Sequence, residues 1–210
     1  MKGKNFSCNN VVGKRRKSDF YETPYSMTIQ LMNVEQFCGV VLEPAAGKGA
    51  IAKVLRTKYA VKAYDLETDF FTETGKFRCI VTNPPYSLAQ EFILKAKQVA
   101  RKKFAFLLPL SYLHGINRLR LIWSVTEFPL ARIHVFARYP MLGDKLRPDG
   151  CYRTGMMVYA WFIWERAYKG PPAIFWLDNN PYVIGAKVVS HLGRHIDTKY
   201  LEAFKKDGGR

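Results

Sequence analysis

Seven short apolar runs punctuate the chain, and between most of them lie stretches with helical spacing. Tyr25 to Phe37 sets Met27, Leu31 and Val34 on one helical face, and Gly39 stops it ahead of a β-type run, Val40 to Glu43. Gly49 to Lys58 is a second helix carrying Ile51, Val54 and Leu55, and Ala60 to Tyr64 is a second strand. Cys79 to Thr82 is the next strand, followed by a helix presenting Leu88, Phe92, Ala96 and Val99. Lys103 to Leu108 is apolar and short, Ile116 to Ser124 is helix-like, and Arg132 to Phe136 returns to strand chemistry. Met156 to Trp164 is strand-like again, separated from the preceding strand only by a polar loop with Gly and Pro. After the break Gly170-Pro171-Pro172, Ile174 to Leu177 reads as a last strand and Tyr200 to Lys206 as a final helix.

Strand and helix taking turns predicts an α/β chain: a doubly wound, mostly parallel sheet of seven strands with helices on both faces. The two successive strands late in the chain predict an antiparallel hairpin at one edge. Residues 19–210 read as a single domain, preceded by an arm over 1–18 and closing with a short extension over 166–210.

Composition refines this picture in one respect. Across 210 residues, 33 Lys and Arg face 17 Asp and Glu, giving a net charge of +16. Such an excess fits a polyanionic partner, with nucleic acid the leading class. Lys2, Lys4, Lys14, Arg15, Arg16 and Lys17 make the arm wholly basic. No apolar stretch is long enough to cross a membrane and the start, MKGKNFSCNN, lacks a hydrophobic segment, so the expected location is the cytoplasm. Cys8, Cys38, Cys79 and Cys151 are widely spaced, and His191 and His195 lack a third ligand, so no metal is expected.

In open parallel sheets, ligands sit beyond the carboxyl ends of the strands. Two stretches occupy such ends. The first, VVLEPAAGKGAIAKVL, runs from a strand through small residues into a helix, so backbone can approach a ligand closely. A phosphate loop of the G-x-x-x-x-G-K-[ST] kind fails, because Leu42 and Gly49 stand where Gly and Ser or Thr belong. Gly47-x-Gly49-x-x-Ala52 satisfies a relaxed dinucleotide pattern with Asp65 at the distance of a ribose-binding acid, which points to an adenosine-like cofactor. Glu43 at the strand tip would repel a pyrophosphate and attract a ligand bearing an ammonium and a sulfonium, as S-adenosylmethionine does. Asp69 and Phe70 are placed to accept from its adenine amine and cover the ring.

The second stretch, IVTNPPYSLAQEF, stiffens a strand tip with two prolines. An exocyclic amine on adenine is a poor nucleophile, its lone pair being delocalised into the ring. Fixed acceptors at Asn83 Oδ1 and the Pro84 carbonyl would favour a tetrahedral nitrogen, Pro85 would lock them, and Tyr86 offers a ring for the base. A second NPY, Asn180 to Tyr182, lacks the second proline and reads as a turn.

These motifs resemble those of the S-adenosylmethionine-dependent N6-adenine DNA methyltransferases, particularly the compact forms encoded by phages, over roughly Asp19 to Glu165. The resemblance implies a Rossmann-like methyltransferase fold, with Tyr21, Thr23 and Pro24 contacting the methionine end of the cofactor. It also assigns Glu43, Pro44, Ala45, Gly47 and Gly49 to the cofactor loop, Asp65 to the ribose, Asp69-Phe70 to adenine and Asn83-Pro84-Pro85-Tyr86 to catalysis. Cofactor loop first and tetrapeptide second resembles the gamma arrangement. Tyr139 or Phe136, with Tyr139 preferred, would stack near an extruded base, and Lys145, Arg147 and Arg153 would follow the phosphates. With only residues 166–210 following the resembling span, no large target-recognition domain is expected, which leaves sequence specificity open. Enzymes acting on RNA adenine or on a protein glutamine share the tetrapeptide, and a non-catalytic nucleic-acid-binding partner could keep the fold. The charge favours nucleic acid, DNA first. About six phosphate contacts would make affinity fall roughly a thousandfold between 50 and 200 mM salt, and a flat salt titration would remove nucleic acid as the partner.

Overall fold

The computed structural model describes residues 23–64, 69–125, 127–137 and 157–177. The expected arm, the Asn180 to Tyr182 turn and the Tyr200 to Lys206 helix lie outside them. Helix α1 (Tyr25–Val34) leads into β1 (Val41–Glu43), α2 (Ala50–Leu55) and β2 (Val61–Ala63). Strand β3 (Phe77–Thr82), α3 (Ala89–Val99) and β4 (Ala100–Pro109) follow. A short α4 (Ile116–Arg118) continues as one π-type turn over Leu119–Trp123 before β5 (Leu130–Phe136), β6 (Tyr159–Glu165) and β7 (Ala173–Leu177).

The seven strands form one sheet in the order β2-β1-β3-β4-β6-β5-β7. Pairing is parallel from β2 to β4 and again between β5 and β7. The expected antiparallel pair is present as β5 and β6, and β6 is antiparallel to β4 as well. The pair sits one strand in from the margin, because β7 adds alongside β5 and forms the outer strand.

Period-two alternation sorts the strand residues onto two faces, each covered by helix. Ile80, Phe104, Phe106, Leu108, Ile133, Phe162 and Trp164 pack with Phe92, Ile93 and Ala96 of α3. Val81, Ala105, Leu107, Trp161 and Ile163 pack on the other face with Met27 and Leu31 of α1 and Ile51, Val54 and Leu55 of α2. Sheets buried on both sides read as continuous apolar runs, which is why β4 and β6 carried little alternation in hydropathy.

Helix α1 is fixed to this face by polar contacts as well as packing. Trp161 Nε1 donates to the Met27 carbonyl at 3.0 Å. One residue past the helix, Glu35 turns to extended backbone (φ −125°, ψ 139°) and buries its carboxylate, 3% exposed, among cations of the sheet. Lys103 Nζ donates to it at 2.7 Å, Arg132 Nη2 at 3.0 Å, and His134 Nε2 lies 2.9 Å away. Arg132 also donates to Glu165 at 2.6 Å. Burial alone would raise the Glu35 pKa, but hydrogen bonds from His134, Arg132 and Lys103 outweigh it and bring the group from 4.5 down to about 2.

A carboxyl with a depressed folded-state pKa contributes stability that is present above pH 4.5 and lost as the pH falls through about 2. Removing it leaves Lys103 and Arg132 with Glu165 as their one remaining carboxylate among the described residues, so Glu35→Ala should lower unfolding free energy by about 3 kcal/mol near neutral pH, a deficit that shrinks at strongly acid pH. Urea denaturation at several pH values measures this; a loss below about 1 kcal/mol would mean the cluster behaves as an exposed pair.

Candidate active site

The carboxyl ends of the parallel strands carry both predicted motifs. Beyond β1, the loop Pro44 to Gly49 folds back over β2: Tyr64 N–H donates to the Glu43 carbonyl and Ala46 N–H to the Tyr64 carbonyl, both at 2.9 Å. Gly49 N–H then reaches the Ala46 carbonyl at 2.7 Å, closing a tight turn. Gly47 (φ 53°) and Gly49 (φ 78°) hold left-handed backbone, which L side chains rarely adopt. Among the described residues a Cβ on Gly49 would meet nothing within 4 Å, so conformation rather than crowding requires glycine there.

Glu43 ends β1 with its side chain 1% exposed. Burial raises its pKa from 4.5 to about 8, against the opposing pull of the Ala52 backbone N–H and the charge of Arg56. Its Oε2 is buried with no hydrogen-bond partner among the described residues. A buried carboxyl oxygen of this kind suits a hydrogen-bond-donating ligand group, and a cationic group placed beside it would pull the carboxyl back toward its ionised form.

Beyond β3 comes the tetrapeptide. Asn83 Nδ2 donates to Thr23 Oγ1 at 3.0 Å, joining positions 60 residues apart. Thr23 and Pro24, both buried, form the entry to α1, where Met27 N–H donates to the Pro24 carbonyl at 3.0 Å. With its amide nitrogen directed at Thr23, the Asn83 side chain is fixed in orientation, and its Oδ1 is shielded from solvent. Pro84 is buried; the Pro85 carbonyl accepts from Leu88 N–H at 2.9 Å, opening the short turn Tyr86–Leu88 that leads into α3. The Tyr86 ring lies 5.9 Å from that of Tyr159, tilted by 34°. Tyr159 begins β6 opposite Pro109, so the antiparallel strand delivers it to this same rim.

Thr23, Pro24, Glu43, the glycine loop and Asn83 to Tyr86 are therefore gathered at one edge. Asp69 and Phe70 follow a different pattern. Asp69 Oδ1 accepts from Phe71 N–H at 2.8 Å and caps the turn Phe70–Thr72, while Phe70 is 2% exposed and packs 5.1 Å from Phe92. The exposed ring of the pair is Phe71, at 39%. Phe136, the second choice for a base-stacking ring, is 3% exposed among the residues beneath α1 and α2, so the core occupies its ring. Tyr21, Asp65, Tyr139, Lys145, Arg147 and Arg153 lie outside the described residues. Tyr159 and Phe71 carried no sequence signal, since neither belongs to a motif and each is recruited by its strand or turn. Among the described residues no cluster of His, Cys, Asp and Glu suits a metal ion, and no helix is long and apolar enough to cross a membrane.

No protein-family model and no curated protein sequence matches the chain. Solved structures do match it in fold. A modification subunit assigned to a type I restriction enzyme from Vibrio vulnificus YJ016 aligns over 92% of this chain and 53% of its own, at 11% identity and a TM-score of 0.52. This chain thus spans about half of that subunit. A predicted O-methyltransferase from Agrobacterium tumefaciens aligns over 87% of this chain and 95% of its own, at 13% identity and a TM-score of 0.48. The magnesium protoporphyrin IX methyltransferase of Synechocystis PCC 6803, crystallised with S-adenosylmethionine, aligns over 68% and 80%, at 13% identity and a TM-score of 0.46. The sheet has the Rossmann-like fold of methyltransferases.

The raised pKa of Glu43 has a measurable consequence. Its contribution to stability is fully present below pH 4.5 and is lost as the pH rises through about 8. Glu43→Gln should therefore melt progressively higher than the wild type as the pH climbs, with the gain levelling off above pH 8. Parallel melting profiles for the two proteins from pH 5 to 9 would show that this carboxyl is not desolvated.

Proposed function

We propose that this protein transfers a methyl group from S-adenosylmethionine to the N6 amine of adenine in DNA. The single observation that carries the proposal is the Asn83–Thr23 hydrogen bond, which ties the tetrapeptide to the Thr-Pro entry of α1 beside the glycine loop. On this reading Thr23, Pro24, Glu43, Pro44, Ala45, Gly47 and Gly49 hold the cofactor, joined by Tyr21 and Asp65. Asp69 contributes from the turn after β2, where Phe70 is taken up by the core and the exposed ring is that of Phe71. The donor set fits: a left-handed glycine turn that the cofactor's backbone-facing groups can approach closely, and a buried carboxyl oxygen with no partner among the described residues for a hydrogen-bond donor of the ligand. Bound there, the cofactor supplies an electrophilic methyl on sulfonium.

The chain's own residues prepare the nucleophile. An adenine amine offers two N–H donors. Asn83 Oδ1 accepts one and the Pro84 carbonyl the other, while the Pro85 carbonyl holds the following turn through Leu88 N–H. Two fixed acceptors favour a pyramidal nitrogen with its lone pair directed outward, and the prolines keep them from reorganising as charge develops. Solvent shielding at Oδ1 strengthens its hydrogen bond. Tyr86, backed by Tyr159, presents a stacking ring; base stacking on an aromatic contributes roughly 1 to 3 kcal/mol, comparable to the cost of extruding a base. Tyr139, Lys145, Arg147 and Arg153 complete the substrate side of the proposal. The proton leaves to solvent once nitrogen is cationic, so Asn83 orients and polarises without acting as a base.

Asn83→Ala removes one preorganised acceptor and should reduce turnover by about a hundredfold or more, with cofactor affinity changed only modestly. Isotope-labelled S-adenosylmethionine offered with duplex DNA, single-stranded DNA, RNA and protein extract, followed by identification of the labelled group, measures this. Near-normal activity of the variant, or label on anything other than adenine in DNA, would overturn the assignment.

A further inference from the structure

The segment Leu110 to Trp123, which links β4 to β5, is built as a rigid base with an apolar crest. Its inner side is anchored. Ile122 is 1% exposed, and Trp123 stacks 5.9 Å from Trp164 at an interplanar angle of 8°. Tyr112 meets Trp123 edge-on at 6.3 Å. Lys97 Nζ of α3 donates to the Ile122 carbonyl at 3.0 Å. The Arg118 guanidinium lies 4.7 Å over the Tyr112 ring and donates to the His114 carbonyl. Gly115 makes the turn between them at φ 131°, and a Cβ there would come within 2.8 Å of Arg118 Nη2.

The outer side is the reverse. Ile116 is 59% exposed, Leu119 49% and Leu113 39%. Ile116, Leu119 and Arg120 stand at i, i+3 and i+4, which places them on one helical face. Isolated exposed leucines are ordinary; three on one rigid projection are not. Location and charge indicate what they meet. Leu110 N–H donates to the Val158 carbonyl at 2.8 Å, and the next residue, Tyr159, is the one that faces Tyr86. The whole segment contains two arginines and no acidic residue, in a chain of net charge +16.

We propose that Leu113, Ile116 and Leu119 form a wedge that enters duplex DNA beside the target adenine, opening the stack while Arg120 holds the flanking phosphates. Apolar side chains inserted between base steps unstack and kink a duplex, and basic neighbours secure the backbone. The proposal rests on the adenine-methylation reading above for its target. A second copy of the chain is the competing occupant, which the positive field disfavours because like charges would be brought together.

The test compares the full-length wild type with Ile116→Ser/Leu119→Ser, exposed positions whose change should leave the melting temperature unaltered. Binding to a mixed-sequence duplex with 2-aminopurine in place of adenine is followed by fluorescence, alongside the same strand unpaired. The wild type should raise the duplex fluorescence by unstacking the analogue; the variant should lose about tenfold in duplex affinity and most of that rise, yet bind the single strand within about twofold of wild type. Equal losses on both substrates, no loss on either, no unstacking by the wild type, or a shift in sedimentation showing a broken dimer would each overturn it. Failure of the methylation reading is seen separately, as absence of label on adenine with any nucleic acid, because the wedge is judged from binding and fluorescence alone.

Discussion

A buried carboxylate holds this molecule's working parts in place. Glu35 sits out of water, where a lone charge would be untenable, and three side chains from two strands converge on it. Through Glu35 the end of α1 is pinned to β4 and β5. Through Trp161 its first turn is pinned to β6. What remains is the helix entry, and that is where Thr23 meets Asn83. The helix thus runs from an ionic cluster at its far end to the residues that orient one amide at the sheet rim.

Stiffness recurs on the other side of that amide. Asn83 follows a strand buried on both faces, and two prolines carry the chain from it into a turn closed by Leu88. Neither the strand nor the turn leaves the backbone carbonyls free to swing. On the proposed reading, dipoles set in advance would let the site distort a planar amine without a strong base, since no reorganisation then opposes the reaction.

The strands were legible because apolar runs bounded by Gly and Pro are local signals, and so was the tetrapeptide, whose rigidity is written in consecutive residues. Element ends were less so. The spacing of Met27, Leu31 and Val34 suggested a helix to Phe37, whereas α1 stops at Val34 because the ion cluster draws Glu35 into extended backbone. The helix-like stretch near Ile116 became a short α-helix running into a π-type turn, a geometry that lets Ile122 and Trp123 reach the core from one segment. Phe70 and Phe71 are adjacent and chemically identical, so only packing against Phe92 decides which is buried. Tyr159 was invisible for a similar reason: its place at the rim follows from the register of β6 against Pro109, and register is a property of two strands.

The position of β6 has a consequence for how the chain is made. Strands β4 and β5 are separated in the sheet by β6, which is synthesised after both. While the nascent chain is still leaving the ribosome, four strands can assemble as β2-β1-β3-β4, but their last member keeps an unpaired margin and β5 has nothing to join. Completion of Tyr159–Glu165 closes both gaps at once. Unpaired margins template association between chains, so the interval before that stretch emerges is the period in which a chaperone would be most useful.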